Sequence, residues 1–458
     1  MFPRMRFSTL RCALYLLVGL PLMGQHEPRE STHPKLHEMF TKGHIDGHMR
    51  NFFMTTLNGD GLKDYYANAS GGAMRYESPE FHGFHFAAAG IFTYKTFSSD
   101  LNAPDPTTGQ ISKWEHELFD ILDFDNFNDL DRLEELYIQY RWNKGAVTYG
   151  KLEIEDTPLL NRSDGRMKPF AFKGVWGHLK PREHQEIILG WLDRISPRSM
   201  VEWFDFSEGI GLTDNGFQPD GTEADYHEHL ESRGVALAGY EGEVKDLRLQ
   251  LYQWYIHHLG YTGWLELDYG KGDWEVGLQY TLQFPDGFQR ELAYDQRYVQ
   301  PGENGQVLSG QLRWMPGGFD LKAAYTHAFD SGRFLFPREL GRDHFFTSVP
   351  RSRLEGFGDV DVITFCGDYQ FNLEGLSAGA SYTELFGPET GVTEFNKYNL
   401  GAYRQWNAHL QYRFHGFLEG MSVDLLYIYK KNKEETDPEF VFNRSNFHQL
   451  NLVTNFVF

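Results

Sequence analysis

Charge of both signs is crowded into one short stretch of this chain: Lys151, Glu153, Glu155, Asp156, Arg162, Asp164, Arg166 and Lys168. No nucleophile and base pair accompanies them. What such a set can do is sort solutes by charge, because a fixed charge in a narrow, poorly hydrated passage acts over a few ångströms with little screening. Lys151, Glu153 and Glu155 alternate with Leu152 and Ile154. On an extended backbone this puts the three charges on one face, expected to point toward water. Five more cations, Arg141, Arg248, Arg313, Lys322 and Arg413, fall on the polar side of alternating segments and could form a basic track along one wall. Glu135, Glu266, Asp268, Glu275, Asp320 and Asp424 fall on the same side, so the balance of signs does not choose a solute charge.

Other constellations carry less. His33, His37, His44 and His48 invite a metal, but the last two flank Asp46 on an alternating segment and no carboxylate or thiol completes a ligand set. Asp123, Asp125 and Asn126 lack the central Gly and later Glu of a calcium loop. Residues 115–135 carry Glu115, Glu117, Asp120, Asp123, Asp125, Asp129 and Asp131. They read as a solvated acidic loop that could gather cations or bridge lipopolysaccharide through divalent ions. No metal, cofactor or catalytic residue is expected.

The elements that must hold these charges are strands. Trp274, Val276, Leu278, Tyr280, Leu282 and Phe284 alternate with Glu275, Gly277, Gln279, Thr281 and Gln283. The same period of two runs through residues 405–414 and 421–430. Turn-forming clusters at 79–83, 143–145, 181–184, 241–245, 271–273, 316–318, 372–375 and 415–420 each separate two such segments. Long polar connections alternate with them at 98–129, 156–169, 197–231, 285–304, 331–358, 387–397 and 432–443, with shorter ones near 58–62 and 255–261. The alternation does not fix the register of residues 170–180 and 186–194. Short turns on one rim and long loops on the other are the asymmetry of a transmembrane barrel, and the tally is about 18 strands.

The last stretch closes the pattern. Phe458, Phe456, Thr454, Leu452 and Leu450 make one face, and Val457, Asn455, Val453, Asn451 and Gln449 the other. A terminal amphipathic strand ending in Phe resembles the closing strand of bacterial outer-membrane barrels, which the barrel-assembly machinery reads; Phe458 and Phe456 are the expected signal.

Composition agrees. Aromatics reach 16% and Gly numbers 47, yet mean hydropathy is -0.51, a polar average that suits strands meeting lipid with every second residue. Residues 1–24 show a secretory signal, with Arg4, Arg6 and Arg11 ahead of the apolar run 12–20. Its removal takes the formal charge from -21 to -24, which argues against nucleic acid. Cys12 leaves with it, and Cys366 alone can form no internal disulfide. Residues 25–42 are expected to be a periplasmic lead-in, too short for a transporter plug, and 43–458 the barrel.

Specific strings sharpen the reading. Residues 43–54 (GHIDGHMRNFFM), 64–72 (DYYANASGG) and 136–140 (LYIQY) resemble the OprD family of outer-membrane porins. Residues 149–174, with Thr157–Pro158, the run 164–167 (DGRM) and the run 172–174 (FKG), resemble that family's inward-folding third loop. The resemblance implies an all-β, 18-stranded antiparallel barrel in a Gram-negative outer membrane, often trimeric. It would pass small hydrophilic solutes passively, several members favouring carboxylates such as amino acids or short peptides along a ladder of basic residues. Membrane lipid and lipopolysaccharide are the implied surroundings. An adhesin or structural barrel acting through its acidic loops is the competing function. An outer-membrane phospholipase would need an outward Ser–His pair, and none is visible.

Overall fold

The computed structural model describes residues 37–458 apart from Asp60, Glu155, Asp164 and Pro388. The signal segment, most of the lead-in, His33 and two of the charged loop positions therefore lie outside the described residues.

Eighteen strands form one closed antiparallel wall, each paired with its neighbours in sequence, and the first, His44–Asn58, pairs with the last, Phe447–Val457. Closure is tight at the chain end. The Gly47 and Phe458 backbones exchange two hydrogen bonds, both 3.0 Å. A ring without an edge leaves no unpaired backbone for lipid to meet. All eight short turns expected from sequence join neighbouring strands on one rim, and all nine longer connections lie on the other. A two-residue strand, Phe204–Asp205, extends the top of Gln185–Ser196 from within a loop.

Alternation sets the two faces. Along Trp274–Pro285, Trp274, Val276, Leu278 and Phe284 are exposed outward, whereas Gly277, Gln279, Thr281 and Gln283 are buried within. Where the sequence left register open, Ala171–Leu179 and Gln185–Ser196 pair with a bulge between Lys173 and Gly174. The extra residue, Asp193, flips the parity near the end of the second strand, and before it Phe172, Trp176, Ile188 and Leu192 put apolar side chains on the inner face, which blurs the period of two.

The apolar core lies inside the barrel. One cluster joins inward wall residues such as Leu152, Phe172, Tyr252 and Trp254 to Phe334, Leu335, Phe336, Phe345 and Phe357 of the 328–360 loop. A second joins Phe52, Met54 and Tyr65 to Leu118 and Phe119 of the 98–132 loop and Phe442 of the 432–447 loop. Several long loops therefore fold into the lumen and pack there. The half of the barrel nearer the short turns keeps a polar inner face.

Candidate functional site

The third loop, residues 152–171, does fold inward. Thr157, Leu159, Leu160, Asn161, Arg166, Met167 and Lys168 are all buried. The loop is pinned by its own charges: the Arg162 amide donates to Asp156 at 2.8 Å, and its guanidinium bonds to Glu153 and, at 3.2 Å, to Glu134. Arg166 bonds to Glu117, and the Lys168 ammonium donates to the Phe119 carbonyl at 3.1 Å. Both belong to the neighbouring 98–132 loop, so these two cations serve as packing contacts between loops, and Lys168 presents no charge to open water. Burial, with Arg132 next, pushes the Lys168 amine down to about 7.

Lys151 is a correction. It lies on the face of Val147 and Tyr149, which are exposed outward, while Leu152 on the opposite parity is buried in the core. Its cross-strand neighbours are Leu136 and Lys173, and its ammonium lies 4.2 Å over the Trp203 ring. Leu152 and Ile154 face the packed interior, so their apolar character marks a lumen filled by loops, where the sequence had suggested lipid. At the rim of the wall an outward cation costs only about 0–1 kcal/mol.

The expected wall cations all face inward, at the end nearer the short turns, and most are neutralised locally. Arg313 bonds to Asp320 at 2.6 Å and lies 3.6 Å from Glu275; Arg248 lies 3.7 Å from Glu241, and Arg141 3.6 Å from Glu77. Lys322 donates to the Phe346 carbonyl at 2.7 Å, and Arg413 lies within electrostatic reach of Asp424. Glu135 is held by Arg75 at 3.0 Å, and Glu266 accepts from Trp264 and Gln279. A paired wall carries little net field.

A second group of cations sits on loops, where Glu117 pairs with Arg166 and Arg198, Glu355 pairs with Arg338, and Asp343 and Asp214 lie near the others. Arg342, Arg351 and Arg353 of the 328–360 loop and Arg444 of the 432–447 loop converge with Arg166, Arg198, Arg338 and Lys113, close enough to perturb one another. Arg342 donates to the carbonyls of Val349 and Ser352 at 3.2 and 3.1 Å, Arg351 to Gln449 at 2.6 Å, and Arg444 to the Tyr398 carbonyl at 3.1 Å. Arg353 reaches the Gly341 carbonyl at 3.5 Å. Their partners are neutral oxygens, so none is discharged by a contacting carboxylate among the described residues. Burial and mutual repulsion depress the Arg342 guanidinium to about 10 and the Arg351 and Arg198 guanidinia well below their usual range. These arginines remain partly accessible and Lys113 is exposed, as groups lining an enclosed aqueous passage would be.

Glu117 anchors the set. It accepts from Arg198 at 3.2 Å as well as from Arg166. Burial opposes its ionisation, but Arg166, Arg198, Lys113 and Arg351 outweigh that and hold its carboxyl at about 2. Residues 115–135 are thus no uniformly solvated loop: Glu115, Glu117 and Asp120 turn into the barrel, whereas Asp123, Asp125, Asp129 and Asp131 stay exposed. The arginines of the 328–360 loop escaped sequence reasoning. The available signal was the density of Phe between residues 334 and 346, which no solvated loop would carry.

No family model and no curated relative matches the chain. Solved structures do. Pseudomonas aeruginosa OccK9 (OpdG) superposes with a TM-score of 0.70 at 15% identity, covering 92% of this chain and 99% of that one. Acinetobacter baumannii OccAB2 gives 0.69 at 14%, covering 92% and 99%. Pseudomonas aeruginosa OpdK, solved with vanillate, gives 0.67 at 18%, covering 91% and 99%. The chain has their fold. It is the 18-stranded barrel that the resemblance to OprD-family porins implied, reached at an identity where the fold alone is shared.

Proposed function

We propose that this protein is a passive diffusion channel of a Gram-negative outer membrane, taking small hydrophilic solutes that carry a carboxylate. The observation that carries this reading is the loop-borne cluster of Arg342, Arg351, Arg353 and Arg444, whose hydrogen bonds go to neutral oxygens inside a barrel where Arg141, Arg248 and Arg313 on the wall are paired with carboxylates. In a barrel this wide, wall side chains cannot fill the lumen, so folded-in loops set the narrow point and their charge sets selectivity. An anion entering there exchanges hydration for several guanidinium donors and relieves their mutual repulsion. A chain sharing the fold was solved with vanillate, itself a carboxylate, and that agrees in sign. The barrel sits among membrane lipid and the solutes it passes; a trimer and recognition of Phe458 by assembly machinery belong to the same reading.

Liposome swelling tests it. Vesicles holding the purified protein should admit a small monocarboxylate faster than a neutral sugar of equal size. Absence of swelling with every solute would sink the channel reading and leave an adhesive or structural barrel. Equal rates would keep the channel and remove the carboxylate preference.

A further inference from the structure

The outer surface of the closing sector is layered. Outward side chains on Leu376–Phe386, Tyr403–Arg413, Met421–Asn432 and Phe447–Val457 stack in register. Leu410, Leu425 and Leu452 lie in one layer, with Ala380, Ala408, Tyr427 and Leu450 in the next, a mostly aliphatic band. Above it toward the loop rim Tyr382, Trp406, Tyr429 and His448 form a continuous row, with ring centroids 5.3, 5.3 and 4.3 Å apart. Such a row marks the boundary between acyl chains and headgroups.

One step higher, two residues along each strand, the row becomes Glu384, Arg404 and Lys431, which are direct cross-strand neighbours. Lys433 joins them from just past its strand. Glu384 is shared by Lys433 at 2.8 Å and Arg404 at 3.1 Å. Glu384 thus serves two of the three cations, while Lys431, one strand further on, stands side by side with Arg404 on exposed wall. Like charges directly opposite on a sheet are unfavourable unless an anion lies between them. The other outward cationic row behaves differently: Lys173 pairs with Asp193 at 3.2 Å, Arg194 stands opposite Asp205, and Lys151 is covered by Trp203.

We propose that Arg404, Lys431 and Lys433 seat a phosphate group of a phosphorylated glycolipid in the leaflet facing the long loops. The cations sit at headgroup height directly above an aromatic row and an aliphatic band, so phosphate and acyl chains of one molecule meet matching surface together. A free phosphate would use only the top row. This rests on the outer-membrane reading above but not on what the lumen transports.

Binding is measured on the folded barrel in neutral detergent, by native mass spectrometry and thermal shift, with lipid A, the same lipid stripped of its phosphates, and inorganic phosphate as probes. The parent should retain lipid A in preference to the stripped form. Each of R404Q, K431Q and K433Q should weaken that binding about five-fold, and the triple variant should abolish the preference. Lys431 is exposed, so K431Q alone serves if the triple variant folds poorly. Equal binding of both lipids by the parent, undiminished binding by K431Q, or full competition by millimolar inorganic phosphate would each overturn the site. A parent that conducts but ignores the phosphates sinks this inference and spares the channel; one that binds but never conducts does the reverse.

Discussion

Arg198 donates to the Glu117 carboxylate at 3.2 Å, across two loops that meet only inside the barrel. Arg166 bonds to the same oxygen from a third loop. One buried acid thus fastens three loops and partly discharges the cations around it.

Glu117→Gln should therefore loosen the loops while leaving the wall intact. With the carboxyl held at about 2 against an ordinary 4.5, the anchor contributes on the order of 3 kcal/mol when fully ionised. Because the folded value is depressed, that contribution is complete above about pH 4.5 and fades as pH falls toward 2. The parent should show growing protease sensitivity in its loops over that acid range. The variant should show it already at pH 7, and identical digestion of the two at pH 7 would remove Glu117 from this role.

Lys168 should matter to packing and not to selectivity. Its ammonium is fully buried on the Phe119 carbonyl, so Lys168→Met exchanges a costly buried amine for an isosteric apolar chain. The melting midpoint should hold or rise and ion preference should stay that of the parent. A marked change in ion preference would show that Lys168 faces the permeation path.

Accessibility separates the two halves of the lumen. In a Cys366-free background, cysteine at 409, on the inner face near the short turns, should react with a small water-soluble thiol reagent, whereas cysteine at 410, facing lipid, should not. Sequence alternation alone would also expect labelling at 279. The structure does not, since Gln279 is bonded to His344 and Phe346 of the folded-in loop. Fast labelling at 279 would mean that this loop leaves the barrel.

Deleting Phe458 removes both of its bonds to Gly47 and opens the seam at one end. Slower appearance of the heat-modifiable folded form is expected, with more unfolded chain lost to proteases. Unchanged folded levels would make the aromatic terminus incidental.

The wall was legible in the sequence because its rule is local: side chains alternate, turns need particular residues, and both survive without knowledge of distant contacts. The faces of Trp274–Pro285 and Phe447–Val457 followed directly. The site was less legible because it is built from contacts between loops far apart in sequence. Leu152 and Ile154 were apolar for the sake of packed loops inside, a context that one strand's pattern cannot distinguish from lipid outside. That reversed the face assigned to Lys151. Likewise Arg342 and Arg351 gain their meaning only when Phe345 between them and Leu354 just beyond bury this loop in the barrel.

The most direct measurement is the reversal potential of the parent channel in a planar bilayer under a salt gradient, repeated with Arg342, Arg351 and Arg353 all replaced by Gln. Converging loop arginines require an anion-selective parent, with the potential moving toward the cation side in the variant while conductance persists. A cation-selective parent, or a variant with the parent's reversal potential, would contradict the assignment of selectivity to these loops.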